Sequence, residues 1–480
     1  MSTLGKVNIK QCLIHPTNVK SYLKDNPDGV IGRGDSNIDK GNLEDEPDDK
    51  DKFPDLALSK SITHIDYFED ILSPAVTCYV HVSDTNNLLA KMPIRGYERV
   101  DLEVILSEQD SFSFNENNTP FFVTGIQNIQ RTESQETFTL VLSTVGNLRN
   151  EVSRCIKKYQ RASITSHIEQ ILSETLKIDD ERIQLDNSAT QYTFMGNNKK
   201  PFFTIIGLAP KAQPIKEGKA SGTSGFVFFE DYGGYKFRSI DSLIKAADDE
   251  VQYLNDSKNK PRVPEFTYTT AIGRDTEPEN NFKILDHYIE KTVNIQKNLR
   301  VGLYSNLTTT VNPLNWKVEN NTFKLKDQVN GSDGTTTMGV ETPIPTSDVF
   351  GDEPSRRLVR ITDHGMIDKK LEKDDDGEAL TSGRDPQDMA KSFSRYSLLF
   401  QQSLNITIPC NNEIRVGQVV KVVLPDVGPS EQGDGGKDQK QADQELSGIY
   451  LVRAMRHHFE LGDGKNVTSL NLVRDSYGLN

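Results

Sequence analysis

Segments in which apolar and polar residues alternate are the feature that most constrains how this chain folds. Residues 76–82, 100–106 and 138–142 all alternate with a period of two. Such a period gives a strand one apolar and one polar face, which is typical of antiparallel sheets with one buried face. The sequence therefore predicts a β unit over residues 61–147, in which the polar stretch at 130–137 forms a hairpin turn.

The same alternation returns near the C-terminal end of the chain. Pro386 fits the first turn of a helix that Asp385 can cap, so a helix is predicted there. Strands are predicted after this helix at 404–408, 416–424, 449–455 and 467–473.

The two β blocks close in the same way. Each ends in an apolar strand, a polar turn and an alternating strand, at 121–142 in the first block and 448–472 in the second. Two similar small β-barrels in one chain explain this likeness. Any two antiparallel hairpins also look this similar, so the pattern alone leaves both explanations open.

The pattern changes between the two blocks. Apolar residues recur at helical spacing over 164–176, with Ser163 or Ser166 as the N-cap. Residues 202–208 form a short helix or a strand, and periodicity does not decide which. A Gly-Gly pair between two aromatic runs predicts a hairpin over residues 226–240.

Charge and composition limit the function classes. The formal net charge of -14 argues against a surface that wraps nucleic acid, because phosphate binding needs clustered Lys and Arg. Residues 44–55 are acidic and broken by prolines, so residues 1–60 are predicted to be an acidic extension. No uninterrupted apolar stretch approaches about 18 residues, so no transmembrane helix is expected.

Motifs for catalysis or metal binding are not found in the sequence. The four cysteines are far apart and form no CxxC pair, which argues against structural zinc and a disulfide framework. His457 and His458 are the only adjacent histidines, and on a strand they point to opposite faces, where they cannot easily share one metal. We therefore predict no catalytic residue, no metal and no cofactor.

Five segments carry a resemblance to a known family: 225–240, 298–316, 414–422, 447–457 and 470–475. On these residues the chain resembles the baseplate central hub proteins of contractile-tailed bacteriophages. That group includes the late-control hub proteins and the N-terminal half of type VI secretion spike proteins. The resemblance covers about residues 60–480, and the acidic first 60 residues and the loop from Gly428 to Glu445 depart from it.

The resemblance implies an α+β fold with two tube-type antiparallel β-barrels per chain and intervening α/β domains. Its domains are predicted as follows: the 1–60 extension, a first barrel at 61–147, an α/β intermediate domain at 148–222, a second barrel from 223–250 plus 385–480, and an inserted mixed domain at 251–384.

The resemblance also implies a structural function in the virion tail baseplate, after assembly in the cytoplasm of a bacterial host. Three subunits are expected to form a homotrimeric ring with quasi-sixfold symmetry that joins the tail tube to the cell-puncturing spike. The expected partners are a trimeric spike protein, a tail tube or tube-initiator protein, a tape-measure protein and other baseplate subunits. DNA is expected to pass through the channel without specific binding.

Exposed strand edges are the expected means of ring formation. The assembly-interface candidates are Phe138, Leu140, Leu142, Leu470 and Leu472. The alternatives are a wall-degrading or a glycan-binding tail component. Against these, the sequence has no lysozyme-like carboxylate context and only one tryptophan, Trp316.

Overall fold

The computed structural model describes these residues: 8–15, 56–91, 94–107, 110–115, 118–216, 219–220, 225–245, 263–268, 282–291, 293–313, 316–329, 337–344, 353–361, 385–427, 431–432, 438–439, 441–461 and 466–478. The acidic run at 44–55 and much of the loop from Gly428 to Glu445 lie outside them.

The N-terminal β unit is an antiparallel sheet in which β3, β4, β8, β7, β5 and β1 lie side by side in that order. Its predicted strands and hairpin turn are confirmed. The bounds of its elements are β1 Asn8–His15, β2 Leu56–Ala57, β3 Ile62–Asp70, β4 Thr77–Asp84, α1 Leu88–Lys91, β5 Arg99–Ser107, β6 Asp110–Phe114, β7 Phe121–Arg131 and β8 Glu136–Thr144.

A mixed α/β region follows the first unit. Ser163 is the N-cap of α3, because its side chain accepts a hydrogen bond from the amide of Ser166. Residues 201–208 are helical, which settles the ambiguity left by the sequence. The elements are α2 Val145–Val152, β9 Lys158–Ser163, α3 Ile164–Gln170, β10 Ile183–Leu185, β11 Gln191–Met195, α4 Pro201–Leu208, β12 Ile215–Lys216, β13 Lys219–Ala220, β14 Phe226–Asp231 and β15 Gly234–Ser239.

The C-terminal half contains the second β unit and a smaller three-stranded sheet of β20, β19 and β21. The elements are β16 Glu265–Tyr268, β17 Lys283–Ile284, β18 Asp286–Lys291, α5 Ile295–Val301, β19 Ser305–Asn312, β20 Lys317–Lys324, α6 Leu325–Val329, β21 Arg356–Ile361, α7 Asp385–Leu399, β22 Gln402–Pro409, β23 Val419–Val423, β24 Glu431–Gln432, β25 Asp438–Gln439, β26 Gly448–Glu460 and β27 Val467–Arg474.

The strand pairing differs from the predicted domain boundaries in two places. β1 lies within the predicted 1–60 extension, yet it pairs with β5; a register shift between Ile9 and Gln11 interrupts the alternation that would have revealed it. β16 and β18 lie within the predicted insertion, yet they pair with β23 and β22 of the second unit.

The predicted hairpin over 226–240 forms, as β14 and β15, but it pairs with β10 rather than with a strand of the second β unit. Its two faces serve different cores. Phe226 and Phe228 pack in the core of the mixed region, while Val227 and Phe229 pack in the core shared by the β units. A strand buried on both faces has no alternation to reveal its neighbours.

Sheet dominates the fold, with several helices, but the ladders of neither β unit close into a barrel within the described residues. One hydrophobic core nevertheless runs through both units, from Val80 and Leu140 in the first to Ile406 and Leu470 in the second. The two units are therefore packed as one body.

A buried arginine fixes α7 against the C-terminal segment. One Nη atom of Arg395 lies 2.9 Å from Asp475 and the other lies 2.9 Å from Asp241. The Arg395 side chain is only 1% exposed. Removing one member of a buried ion pair leaves the other charge uncompensated in a medium that solvates it poorly.

We expect the Arg395→Met substitution to lower the free energy of unfolding by about 3–5 kcal/mol, because the buried Asp475 and the partly buried Asp241 lose their cation. Denaturant unfolding measures this value. Arg360→Met on exposed strand β21 is the control, and it should change stability by less than about 0.5 kcal/mol. Equal losses in the two variants would contradict a structural role for the buried pair.

Candidate assembly interface

Five strands of the first β unit have counterparts in the second. In chain order, β3, β4, β5, β7 and β8 correspond to β18, β22, β23, β26 and β27. The pairs β3–β4, β4–β8, β8–β7 and β7–β5 recur as β18–β22, β22–β27, β27–β26 and β26–β23, and all are antiparallel. The two units therefore share one topology.

The two closing hairpins also share an irregularity. The register shifts between Val123 and Gly125 in β7, and between Val452 and Ala454 in β26. Both bulges lie at the same point of the common topology. A duplicated unit explains a shared bulge, whereas two unrelated hairpins have no reason to share one.

A hydrogen-bonded ladder joins the two units. β3 pairs with the second half of β26, residues 64–70 with residues 454–460, in antiparallel register. An Arg456 nitrogen lies 2.9 Å from a carboxylate oxygen of Asp66 across this junction. The result is a continuous eight-stranded antiparallel sheet in the order β18, β22, β27, β26, β3, β4, β8, β7.

The core side of the junction holds three buried ionisable groups, Tyr67, Glu69 and His457. The Tyr67 hydroxyl donates to the Glu69 carboxylate at 2.7 Å, and the His457 ring stacks on Tyr67 with 6.1 Å between centroids. Burial lowers the pKa of His457 to about 3 and raises the pKa of Glu69 to about 7. His457 is therefore neutral at pH 7, and His458 points to the other face, as predicted for adjacent residues on a strand.

The eight-stranded sheet ends in two edges without a partner among the described strands. β18 pairs with β22 on one side, and Tyr288 there is 66% exposed. β7 pairs with β5 through Phe121 and Phe122, and Val123 also bonds to the backbone of Tyr97 and Glu98. Only the second half of β7 therefore has an edge without a described strand beside it. Ile129 lies on that half and is 51% exposed. Free strand edges are templates for pairing with another chain.

The face of this sheet that points away from the core is polar. In β4, every second side chain is buried. The side chains between them are partly exposed: Thr77, Tyr79, His81 and Ser83. The same face carries these side chains: Asp66, Asp70, Asn405, Thr407, Arg456, Ser469 and Asn471. A groove of about 550 Å³ runs along this face between β18 and β4.

The five predicted interface residues do not lie on the free edges or on the polar face of the sheet. All of them are buried in the core of the single chain: Phe138, Leu140, Leu142, Leu470 and Leu472. Their strands, β8 and β27, have a neighbour on each side. Their alternating apolar character reflects the core of the single chain, whereas the edges without a described partner belong to β18 and β7.

The β18 edge has only a weak signature in the sequence. The strand reads DHYIEK, and Tyr288 and Ile289 are its only strongly apolar residues. An edge strand buries little, so it lacks the long alternation that identified the central strands. The exposed aromatic beside a β-branched residue is the one signal that could have found it.

A second buried carboxyl, Glu230, connects the hairpin β14–β15 to the first β unit. Its Oε2 accepts hydrogen bonds from the Val76 amide at 3.1 Å and the Thr144 hydroxyl at 2.8 Å. Burial raises the pKa of Glu230 from 4.5 to about 7. Between pH 4.5 and about pH 7, the folded chain therefore retains a proton that the unfolded chain has already released.

The sign of the linkage follows from that difference. Stability contributed by protonated Glu230 is present below pH 4.5 and is lost as the pH rises to about 7. We expect Glu230→Gln to gain stability relative to the wild type between pH 5 and pH 8, by at most about 3 kcal/mol. Thermal unfolding of the variant and the wild type at pH 5 and at pH 8 measures this difference in stability. Glu413→Gln, at an exposed position, is the control, and an equal change there would contradict the assignment.

Within the described part of the chain, no helix is long and apolar enough to span a membrane. No protein-family model matches the chain, and no curated protein matches it.

Several solved structures are similar to this one. A tail protein from Neisseria meningitidis has a TM-score of 0.48 and 10% identity, with 88% of this chain and 94% of that chain covered. A 43 kDa prophage tail protein from Shewanella oneidensis has a TM-score of 0.47 and 10% identity, with coverage of 88% and 96%. An Escherichia coli component of the type VI secretion system has a TM-score of 0.41 and 10% identity, with coverage of 87% and 75%.

These neighbours are phage tail and type VI secretion proteins, the class that the sequence resemblance indicated. All three TM-scores are below 0.5, so the likeness is distant. We therefore take the functional proposal from the geometry of the chain and from its sequence resemblance, and not from these neighbours.

Proposed function

We propose that the chain is a structural baseplate central hub subunit that forms a homotrimeric ring with quasi-sixfold symmetry. The observation that carries this proposal is the ladder between β3 and β26, which joins two units of the same topology edge to edge. A ring of six such units requires the same kind of contact between chains. Each unit then acts as one tube-type barrel of the ring.

The free edges are those that such a ring needs. β18 is the counterpart of β3, and β7 is the counterpart of β26. In the ring, β18 of one copy pairs with the second half of β7 in the next copy, as β3 pairs with β26 within the chain. This contact covers the exposed Tyr288 of one copy and the exposed Ile129 of the next.

The second unit has barrel-like continuity. The consecutive strands β17 and β18 pair with β16 on one side and β22 on the other. Leu285 lies between them, and its amide donates to the Thr407 carbonyl at 2.7 Å. The strands of this unit therefore curl towards closure, which supports a tube-type barrel.

The polar face of the eight-stranded sheet is suited to line a channel. Hydroxyl, amide and charged side chains make up most of it, with Phe68 and Tyr79 among them. Arg456 and Arg453 there are paired with Asp66 and Asp70. DNA binding requires unpaired clusters of Lys and Arg. Such a face lets DNA pass without specific binding, in keeping with the net charge of -14.

The resemblance supplies the rest of the proposal. The ring joins the tail tube, or its initiator, to a trimeric spike protein, and it contacts the tape-measure protein and other baseplate subunits. Its location is the virion tail baseplate, after assembly in the host cytoplasm, and its role is structural rather than catalytic.

We expect the purified wild-type chain, alone or with its spike partner, to have the mass of a trimer in native mass spectrometry. Tyr288→Lys or Ile129→Lys places a charge in the proposed contact and should leave monomers. Both residues are exposed in the single chain, so neither change should disturb its folding.

Val359→Lys is the matched control, because Val359 is 73% exposed on the separate sheet of β19, β20 and β21. This variant should remain trimeric. Trimers in both edge variants, or a wild type that stays monomeric even with the spike, would contradict the proposed ring.

A further inference from the structure

Three histidines and an aspartate meet where the two repeated units join. His64 and Asp66 are two residues apart on β3, and therefore share one face of the sheet. His81 on β4 lies directly opposite His64, and His458 on β26 lies directly opposite Asp66. The four side chains thus come from three adjacent strands and both repeats.

The ligand atoms of this cluster are close together. One ligand atom from each of His64, Asp66 and His81 lies within 4.8 Å of the others. Nδ1 of His458 is 2.7 Å from Asp66 Oδ1, and Nε2 of His81 is 3.7 Å from Asp66 Oδ2. Donor atoms around a tetrahedral zinc ion lie about 3.4 Å apart, given bonds of about 2.1 Å. The His64 and His81 rings are stacked with 3.8 Å between centroids, so one ring must turn out of the stack to bring these atoms to a common centre. His458 lies beside this group of three and reaches it through Asp66.

We propose that a divalent transition-metal ion, of the zinc class, binds between His64, Asp66 and His81, with His458 as the fourth ligand. Imidazole nitrogen and carboxylate oxygen are the donors that such ions take from proteins. Because β26 and β3 belong to different repeats, the bound ion ties the two repeats together.

The surroundings of the cluster favour metal binding over a purely structural role. Nδ1 of His81 is 3.0 Å from the Thr139 hydroxyl, and Nδ1 of His64 is 3.2 Å from the Thr63 hydroxyl. Hydrogen bonds at one ring nitrogen orient the other towards a metal.

Arg456 is the cation that now contacts Asp66, with 2.9 Å between nitrogen and oxygen. A metal ion must displace this guanidinium. The Arg456 side chain is 43% exposed, so it can turn into solvent. Removal of the Arg456 side chain should therefore strengthen metal binding rather than weaken it.

The test is titration of the full chain, after treatment with a chelator, with Zn²⁺ in a calorimeter and with Co²⁺ in an absorption spectrometer. We expect one ion per chain and the visible absorption of tetrahedral Co²⁺. His81→Gln should weaken the affinity at least tenfold, since even outer-shell substitutions cost about 10–100-fold. Arg456→Gln should tighten it.

His287→Gln is the matched control, because His287 lies on β18 in the same sheet but outside the cluster. It should bind the ion as the wild type does. If His81→Gln does not fold, His458→Gln, at a partly exposed position, takes its place. No saturable binding by the wild type, or equal affinity in the ligand variants and the control, would overturn the proposal.

Discussion

The ladder between β3 and β26 is the interaction on which the rest of the molecule depends. It converts two sheets of the same topology into one surface of eight strands, and it gives both units a common hydrophobic core. Backbone hydrogen bonds set its register, and the Arg456–Asp66 pair marks the polar face. The free edges of β18 and β7 follow from it directly, because an open sheet built from two repeats must leave one unmatched edge at each end.

The hairpin β14–β15 holds this junction from the core side. The Tyr232 amide donates to Glu69 at 2.9 Å, and Glu230 accepts from the Val76 amide of the first unit. Both carboxyls are buried, with pKa values raised to about 7. A buried carboxyl that keeps its proton avoids the cost of a desolvated charge and still makes hydrogen bonds. The hairpin therefore contacts the first unit at two buried carboxyls, and the stability that their protonated forms contribute is lost as the pH rises from 4.5 through about 7.

Sequence patterns predicted the elements better than their arrangement. Central strands such as β4 and β8 were found because one apolar face packs on the core, and packing imposes the period of two. The same alternation selected Leu140 and Leu470 as interface candidates, and in the single chain both side chains pack in that core. The junction and the His64–Asp66–His81 cluster depend on strand register between distant parts of the chain. Arg456 and Asp66 are 390 positions apart, and no local pattern encodes such a contact.

The repeat also shows where its two copies have diverged. The shared bulge aligns the units so that Asp286 corresponds to His64, Tyr288 to Asp66 and Thr407 to His81. The junction within the chain therefore carries three candidate metal ligands at positions where the second unit keeps only one possible ligand, the Asp286 carboxylate. In the proposed ring, an ion would lock the contact inside each subunit, while the contact between subunits relies on strand pairing and on Tyr288 and Ile129. The β3–β26 contact within a chain is permanent, whereas the proposed β18–β7 contact forms when subunits assemble. The different side chains give these two contacts different strengths on the same backbone topology.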